Sequence, residues 1–228
     1  MGSRILMVVT SHDALGDTGQ KTGLWLEELA ASYYVLTDRG CDVTLVSPRG
    51  GAAPIDPASG QAPWLTPTGE RFLADTAAMD KLKITRSIES VDPMQFDALY
   101  LVGGAGTAWD FPSNEGLATA ASVLYGIGRP IAGVCHGVLG LTEARDSTGR
   151  SIFMGRAATA ISNAEEAMVG YDKIVPVLPE TRLRALGARY SAAKPLDEHV
   201  VSDGNVLTGQ NPASAGPLAW ALLRRLES

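Results

Sequence analysis

The sequence predicts an α/β fold, a three-layer sandwich in which helices cover both faces of a mainly parallel sheet. Three observations carry that prediction. Short aliphatic runs, Arg4 to Thr10, Phe96 to Val102 and Pro130 to Val134, have the length of buried strands rather than of helices. Stretches of helical period separate them, and strands alternating with helices argue for parallel pairing. The third run leads into Gly133-Val134-Cys135-His136-Gly137, a Gly-x-Cys-x-Gly frame that opens a helix-compatible stretch. In the serine version of this frame a sharp strand-to-helix turn lifts the nucleophile clear of the sheet, and glycines flank it because the backbone packs too closely there for side chains. Cys135 takes the serine's place. The turn sets it at the positive end of a helix dipole, which favours a thiolate, and leaves the backbone N–H of His136 to hold an oxyanion.

The remaining elements follow in order. The first strand ends in the polar loop Ser11 to Gly19, which should border the site because ligands gather beyond the carboxyl ends of strands in open α/β sheets. Thr22 reads as the N-cap of a helix from Gly23 to Arg39, with Leu26, Leu29, Ala30, Tyr33 and Leu36 on its apolar side and Gly40 as its stop. Cys41 to Ser47 reads as a second strand, which makes Cys41 a core residue. From Pro48 to about Pro93 the texture turns to Gly, Pro, Ala and Asp, with Trp64 and Phe72 as anchors and helical patches at Glu70 to Ala74 and Met79 to Lys83. That is too long for a plain loop and predicts an insertion, about residues 48–95, capping one end of the sheet within a single domain spanning residues 1–228. A helix is expected from Asn114 to Ile127. Beyond the elbow, Asp146 to Arg150 is a turn, Ser162 or Asn163 caps a short helix carrying Glu165 and Glu166, and Pro179 to Leu186 is helical. Asp203-Gly204-Asn205 turns a hairpin, and Gln210 to Ser214 caps a last helix that runs to Leu226.

Of the 228 residues, 45% are hydrophobic and 19% charged, the balance of a soluble globular protein, and the net charge of −6 argues against nucleic acid or anionic membrane as partners. The apolar run after Met1-Gly2-Ser3-Arg4 is too short for a signal peptide, and no stretch approaches the 18 or so apolar residues a membrane span needs. Two cysteines far apart make neither a disulfide framework nor a C-x-x-C site, so a cytoplasmic setting is expected. His12 and His199 read as surface or supporting residues. No clustered His/Cys spacing suggests a metal, and neither metal nor cofactor is expected.

Taken together, the elbow, the diglycine Gly103-Gly104 and the first helix resemble the ThiJ/PfpI superfamily, relatives of the class I glutamine amidotransferases, and most closely its chaperone and glutathione-independent glyoxalase branch. The resemblance covers nearly the whole chain: Thr22 to Glu28, Val46-Ser47-Pro48 with Pro54 to Pro57, Gly103 to Pro112, Val134 to Gly137, and Thr208 to Ser214. It implies a flavodoxin-like sheet, a reactive Cys135, a histidine partner in His136, an acidic partner for that histidine in Glu166, and a carboxyl that hydrogen-bonds the thiol in Glu28. Glu27 competes for the last role, but successive helical residues point about 100° apart, so one of the two faces the elbow, and Glu28 is preferred. Gly104 matches the oxyanion-hole position opposite His136. Close relatives often carry histidine where this chain has Ala105 and proline where it has Val138; the first difference removes a polar group from the pocket mouth.

The function this implies is a cofactor-free cysteine enzyme acting on small 2-oxoaldehydes, a glyoxalase III-type lyase of the D-lactate dehydratase class that converts methylglyoxal to lactate and forms a homodimer. A holding chaperone or stress-response protein is one alternative, with Trp64, Trp109 and Phe111 contributing an exposed apolar patch. A hydrolase or hydratase using the same Cys-His-Glu site is another. A glutaminase is disfavoured because no His-x-Glu occurs in the chain.

Overall fold

In the computed structural model, which describes residues 2–227, the chain forms nine strands and eight α-helices joined by short 3-10 turns. The strands are β1 (Arg4–Val8), β2 (Asp42–Ser47), β3 (Arg86–Ser87), β4 (Ala98–Leu101), β5 (Ile131–Val134), β6 (Ala157–Ala158), β7 (Arg189–Tyr190), β8 (Val200–Asp203) and β9 (Val206–Gly209). The helices are α1 (Leu26–Thr37), α2 (Pro67–Ala74), α3 (Thr76–Lys83), α4 (Thr107–Asp110), α5 (Glu115–Gly126), α6 (Asn163–Val169), α7 (Pro179–Ala185) and α8 (Ala215–Leu226). Seven strands make one sheet in the order β3-β2-β1-β4-β5-β9-β8. All its pairings are parallel except the β8–β9 hairpin. β6 and β7 pair separately.

Two apolar layers follow from the period of two along each strand. Ile5, Met7 and Val9 join Tyr100 and Val102 in the layer under α1 and α8, where Leu29, Leu36, Leu218 and Leu222 are fully buried. Leu6 and Val8 join Leu99 and Leu101 in the opposite layer, with Leu117, Ala121 and Leu124 of α5 and Leu183 of α7. Strands buried on both faces are why the runs show no polar alternation. The sheet order reverses between β1 and β4, so the segments leaving β1 and β4 part at the carboxyl edge and leave a crevice there.

The expected elements form, with four differences. Thr22 caps no helix: its hydroxyl donates to Asp56 Oδ2 at 2.8 Å, and α1 begins after Trp25 without a side-chain cap. A buried hydroxyl takes the stronger distant partner, in this case a carboxylate. Cys41 precedes β2 and is only partly buried, so it is not a core residue. The stretch after Pro48 folds α2 and α3 where helical patches were expected, with Thr66 and Asp75 as side-chain N-caps and Phe72 fully buried. It also contributes β3 at the sheet edge, whose two residues are too few to register as a strand in the sequence. The last helix has no side-chain cap from Ser214, whose hydroxyl instead donates to Asn211 Oδ1. Among the described residues no helix is long and apolar enough to cross a membrane.

Candidate active site

β5 is followed directly by a 3-10 helix, Cys135–Leu141, and Cys135 at the junction adopts φ 56°, a left-handed conformation that a non-glycine residue holds only under constraint from its surroundings. Those surroundings are close on every side. A Cβ on Gly137 would lie 2.6 Å from Leu101 O, and one on Gly133 3.0 Å from Val138 Cα. The strained turn folds His136 back on its neighbour, with Nδ1 3.4 Å from Cys135 Sγ. On the far side of the ring, Nε2 stands 2.7 Å from Glu166 Oε1, both side chains being buried. Glu166 is delivered there by α6, whose N-terminus is a capping box. Ser162 Oγ accepts from Glu165 N, and Glu165 Oε2 accepts from Ser162 N at 3.0 Å.

α1 supplies the second carboxyl. Glu28 is 0% exposed, while Glu27 turns away to accept from the Thr66 hydroxyl at the start of α2. Glu28 sits against Cys135 and the backbone of Gly103, with neither carboxyl oxygen hydrogen-bonded among the described residues. Gly103 is glycine for this reason: a Cβ would stand 2.4 Å from Glu28 Oε2 and 2.6 Å from Val134 O. Burial pushes the Glu28 carboxyl up to about 8, outweighing the lowering effect of the nearby Cys135 and Gly103. At neutral pH it is a carboxylic acid. Gly104, at φ 111°, is also confined, since a Cβ would meet Gly23 O and Trp25 N at 2.4 Å each.

The sulfur differs from expectation. Cys135 is 5% exposed and lies on the floor of a cavity rather than at a surface. Burial first, and then the charges of Glu28 and Glu166, push its thiol well up, against a hydrogen bond from the backbone N–H of His136. A resting thiolate is therefore not favoured. The helix that was to stabilise it is 3-10 and seven residues long, and its field does not outweigh the loss of solvent and two neighbouring acids.

The cavity, about 200 Å³, opens where the crevice meets the cap segment. Cys135, His136, Glu28, Gly104 and Ala105 form its floor. Asp56, Glu165, Tyr171 and Asn211 are its other polar lining groups, and Trp25, Trp64, Ile161 and Met168 are among its apolar walls. Glu165, passed over in the sequence except as a helix residue, is a hub. Its carboxylate accepts from Ser162, Gln210 Nε2, Asn211 Nδ2 and the N–H of Leu196. Burial alone would raise it, but these donors, Asn211 foremost, hold it below the usual range. The Ser-x-x-Glu spacing of Ser162 and Glu165 was its sequence signal. The first loop does not border the cavity: His12 stacks on Trp109 at 4.9 Å, and Ser11 N–H donates to Asp110 on α4. His199 pairs with Ser191 and also lies outside the cavity. Nor do Trp64, Trp109 and Phe111 make one apolar patch, since Phe111 is in the core. Among the described residues no group of three or more His, Cys, Asp and Glu side chains is placed to hold a metal.

Comparisons with known proteins show what the chain is similar to. The DJ-1/PfpI family profile matches residues 22–225. The chain is 29% identical to the glutathione-independent glyoxalase HSP31 of Saccharomyces cerevisiae over 93% of each chain. Among solved structures, Rapid Encystment Protein REP24 of Francisella tularensis superposes with a TM-score of 0.94 at 38% identity, covering 98% of this chain and 99% of that one. Glyoxalase III of Candida albicans superposes with a TM-score of 0.91 at 24% identity, covering 98% and 97%. The last is a likeness of fold.

Proposed function

The chain belongs to the DJ-1/PfpI family, and from that premise we propose that it is a glutathione-independent glyoxalase, converting a 2-oxoaldehyde to a 2-hydroxy acid without a cofactor. The observation that carries the reading is the placement of one thiol between a base and an acid: Cys135 Sγ has His136 Nδ1 at 3.4 Å and the protonated Glu28 carboxyl beside it.

In this reading His136 Nδ1 takes the thiol proton as Sγ adds to the aldehyde carbon, and Glu166 supports the imidazolium that forms at Nε2. The thiolate thus exists during attack rather than at rest, as the buried site requires. The oxyanion is held by the N–H groups of Gly104 and His136. His136 and Glu28 then move the C1 hydrogen, as a proton, to C2 through an enediol. This turns the hemithioacetal R–CO–CH(OH)–S into the isomeric thioester R–CH(OH)–CO–S. C1 is oxidised and C2 reduced within the substrate, so no external redox partner is needed. Water cleaves the thioester, releasing the 2-hydroxy acid and restoring the thiol.

Incubation of the purified protein with methylglyoxal and no added thiol should give lactate, with Cys135→Ala inactive; equal rates from both proteins would refute the reading. A cytoplasmic homodimer is part of the proposal. The unpaired state of Cys41 and Cys135 supports a reducing compartment, and sedimentation of the purified protein tests the dimer.

A further inference from the structure

Methylglyoxal has five non-hydrogen atoms, and the cavity is larger than that. Taking water's share of liquid volume, roughly 30 Å³ for one heavy atom, as an upper guide, about 200 Å³ accommodates at least six. The walls are also the wrong kind for a methyl group alone. Trp25 and Trp64 meet edge to face at 5.8 Å beside the floor, and Trp25 is fastened to the oxyanion loop through its N–H to Gly103 O. Across from them stand Ile161, Met168 and Tyr171. Exposed large hydrophobic side chains gather at the mouth: Trp64 is 42% exposed, and Met168, Val169 and Leu196 are exposed beside it. Apolar surface left open around a concave site marks where an apolar group binds.

Charge narrows the ligand further. Glu28, Asp56 and Glu165 line the cavity, and among the described residues no lysine or arginine does. A carboxylate or phosphate on the substrate would meet Asp56 and Glu165 with no lysine or arginine beside them.

We propose, building on the glyoxalase reading, that the cavity selects uncharged 2-oxoaldehydes bearing a flat apolar substituent, an aryl group above all, over methylglyoxal, and excludes anionic carbonyl compounds. The floor binds the dicarbonyl end, which all such substrates share. The substituent lies against Trp25, Trp64 and Met168 and reaches the exposed apolar mouth.

The test pairs turnover with binding. Phenylglyoxal and methylglyoxal are supplied without thiol, and kcat/KM for mandelate and lactate formation is compared. The expected ratio favours phenylglyoxal by about tenfold or more, the discrimination an apolar pocket gives for added apolar substituents. Trp64→Ser should lower kcat/KM for phenylglyoxal more than for methylglyoxal. Independently of chemistry, benzamide should change the tryptophan fluorescence of the parent protein at lower concentration than acetamide does, and benzoate should bind more weakly than benzamide. Cys135-dependent turnover that favours methylglyoxal would overturn the selectivity and leave the glyoxalase reading intact. Turnover of neither aldehyde would refute the glyoxalase reading, and the amides then decide the pocket: equal affinity for benzamide and acetamide overturns the apolar claim. Equal affinity for benzoate and benzamide overturns the charge claim.

Discussion

Two helix N-termini reach the elbow, each carrying a pair of adjacent glutamates, and the fold uses both pairs in the same pattern against different partners. On α1 the first of the pair, Glu27, ties the helix to the cap segment through Thr66, and the second, Glu28, faces the sulfur. On α6 the first, Glu165, ties the helix to Ser162, Asn211 and Leu196, and the second, Glu166, faces the imidazole. Glu28 has no cation beside it, so burial leaves it protonated; Glu166 has a ring nitrogen at 2.7 Å that can carry charge. One residue type thus faces the sulfur on one side of the elbow and the imidazole on the other. The difference comes from the partner, since both residues are fully buried in the first turns of helices.

Substitutions can break this comparison one arm at a time. The largest effect is on the residue both arms serve: Cys135→Ala should lower 2-oxoaldehyde turnover by about 10⁴-fold or more, measured as lactate or mandelate formed. Next is Glu28→Gln, which keeps the shape and removes the titrating proton; kcat should fall by about 10²-fold while iodoacetamide still labels Cys135. Unchanged turnover in that variant would refute the acid role. Glu166→Gln should cost about 10- to 100-fold, because the amide can pair with Nε2 but cannot balance an imidazolium. In the folded parent protein, mass spectrometry should find Cys135 alkylated before Cys41, because His136 stands ready to take the proton from Cys135.

The smallest effects concern stability, and their pH dependence has a definite sign. The folded-state pKa of Glu28, about 8, lies above its ordinary 4.5, so between those values the unfolded chain has released a proton that the folded one retains. Stability therefore falls as pH rises through that window, on the order of 3 kcal/mol by pH 7 relative to pH below 4.5. Glu28→Gln removes that loss, so its melting temperature relative to the parent should be higher at pH 8 than at pH 5. Glu165→Gln should instead destabilise at neutral pH by about 1–3 kcal/mol, because several donors lose a charged acceptor.

Much of this site was legible in the sequence because its residues sit in local motifs. Cys135 and His136 are neighbours in a glycine-framed turn, whereas Glu28 and Glu166 came from the family resemblance, helix geometry deciding only that one of Glu27 and Glu28 faces the elbow. What was not legible depends on distance. Thr22 looked like a cap, yet its partner Asp56 is 34 residues away. The first loop looked like a site border because its strand ends there, but Asp110 and Trp109 hold it aside. The thiol's pKa was read from a helix dipole, a local effect, whereas its burial and the nearness of Glu28 and Glu166 are properties of the assembled fold.

The central claim, that α1 brings a protonated carboxyl to Cys135, is tested most directly by titrating Glu28 itself. Carbon-13 NMR of carboxyl-labelled glutamate, with Glu28→Gln identifying the resonance, should show a carboxyl that stays protonated through neutral pH and titrates near 8. A Glu28 resonance that titrates at its ordinary value near 4.5 would contradict the claim.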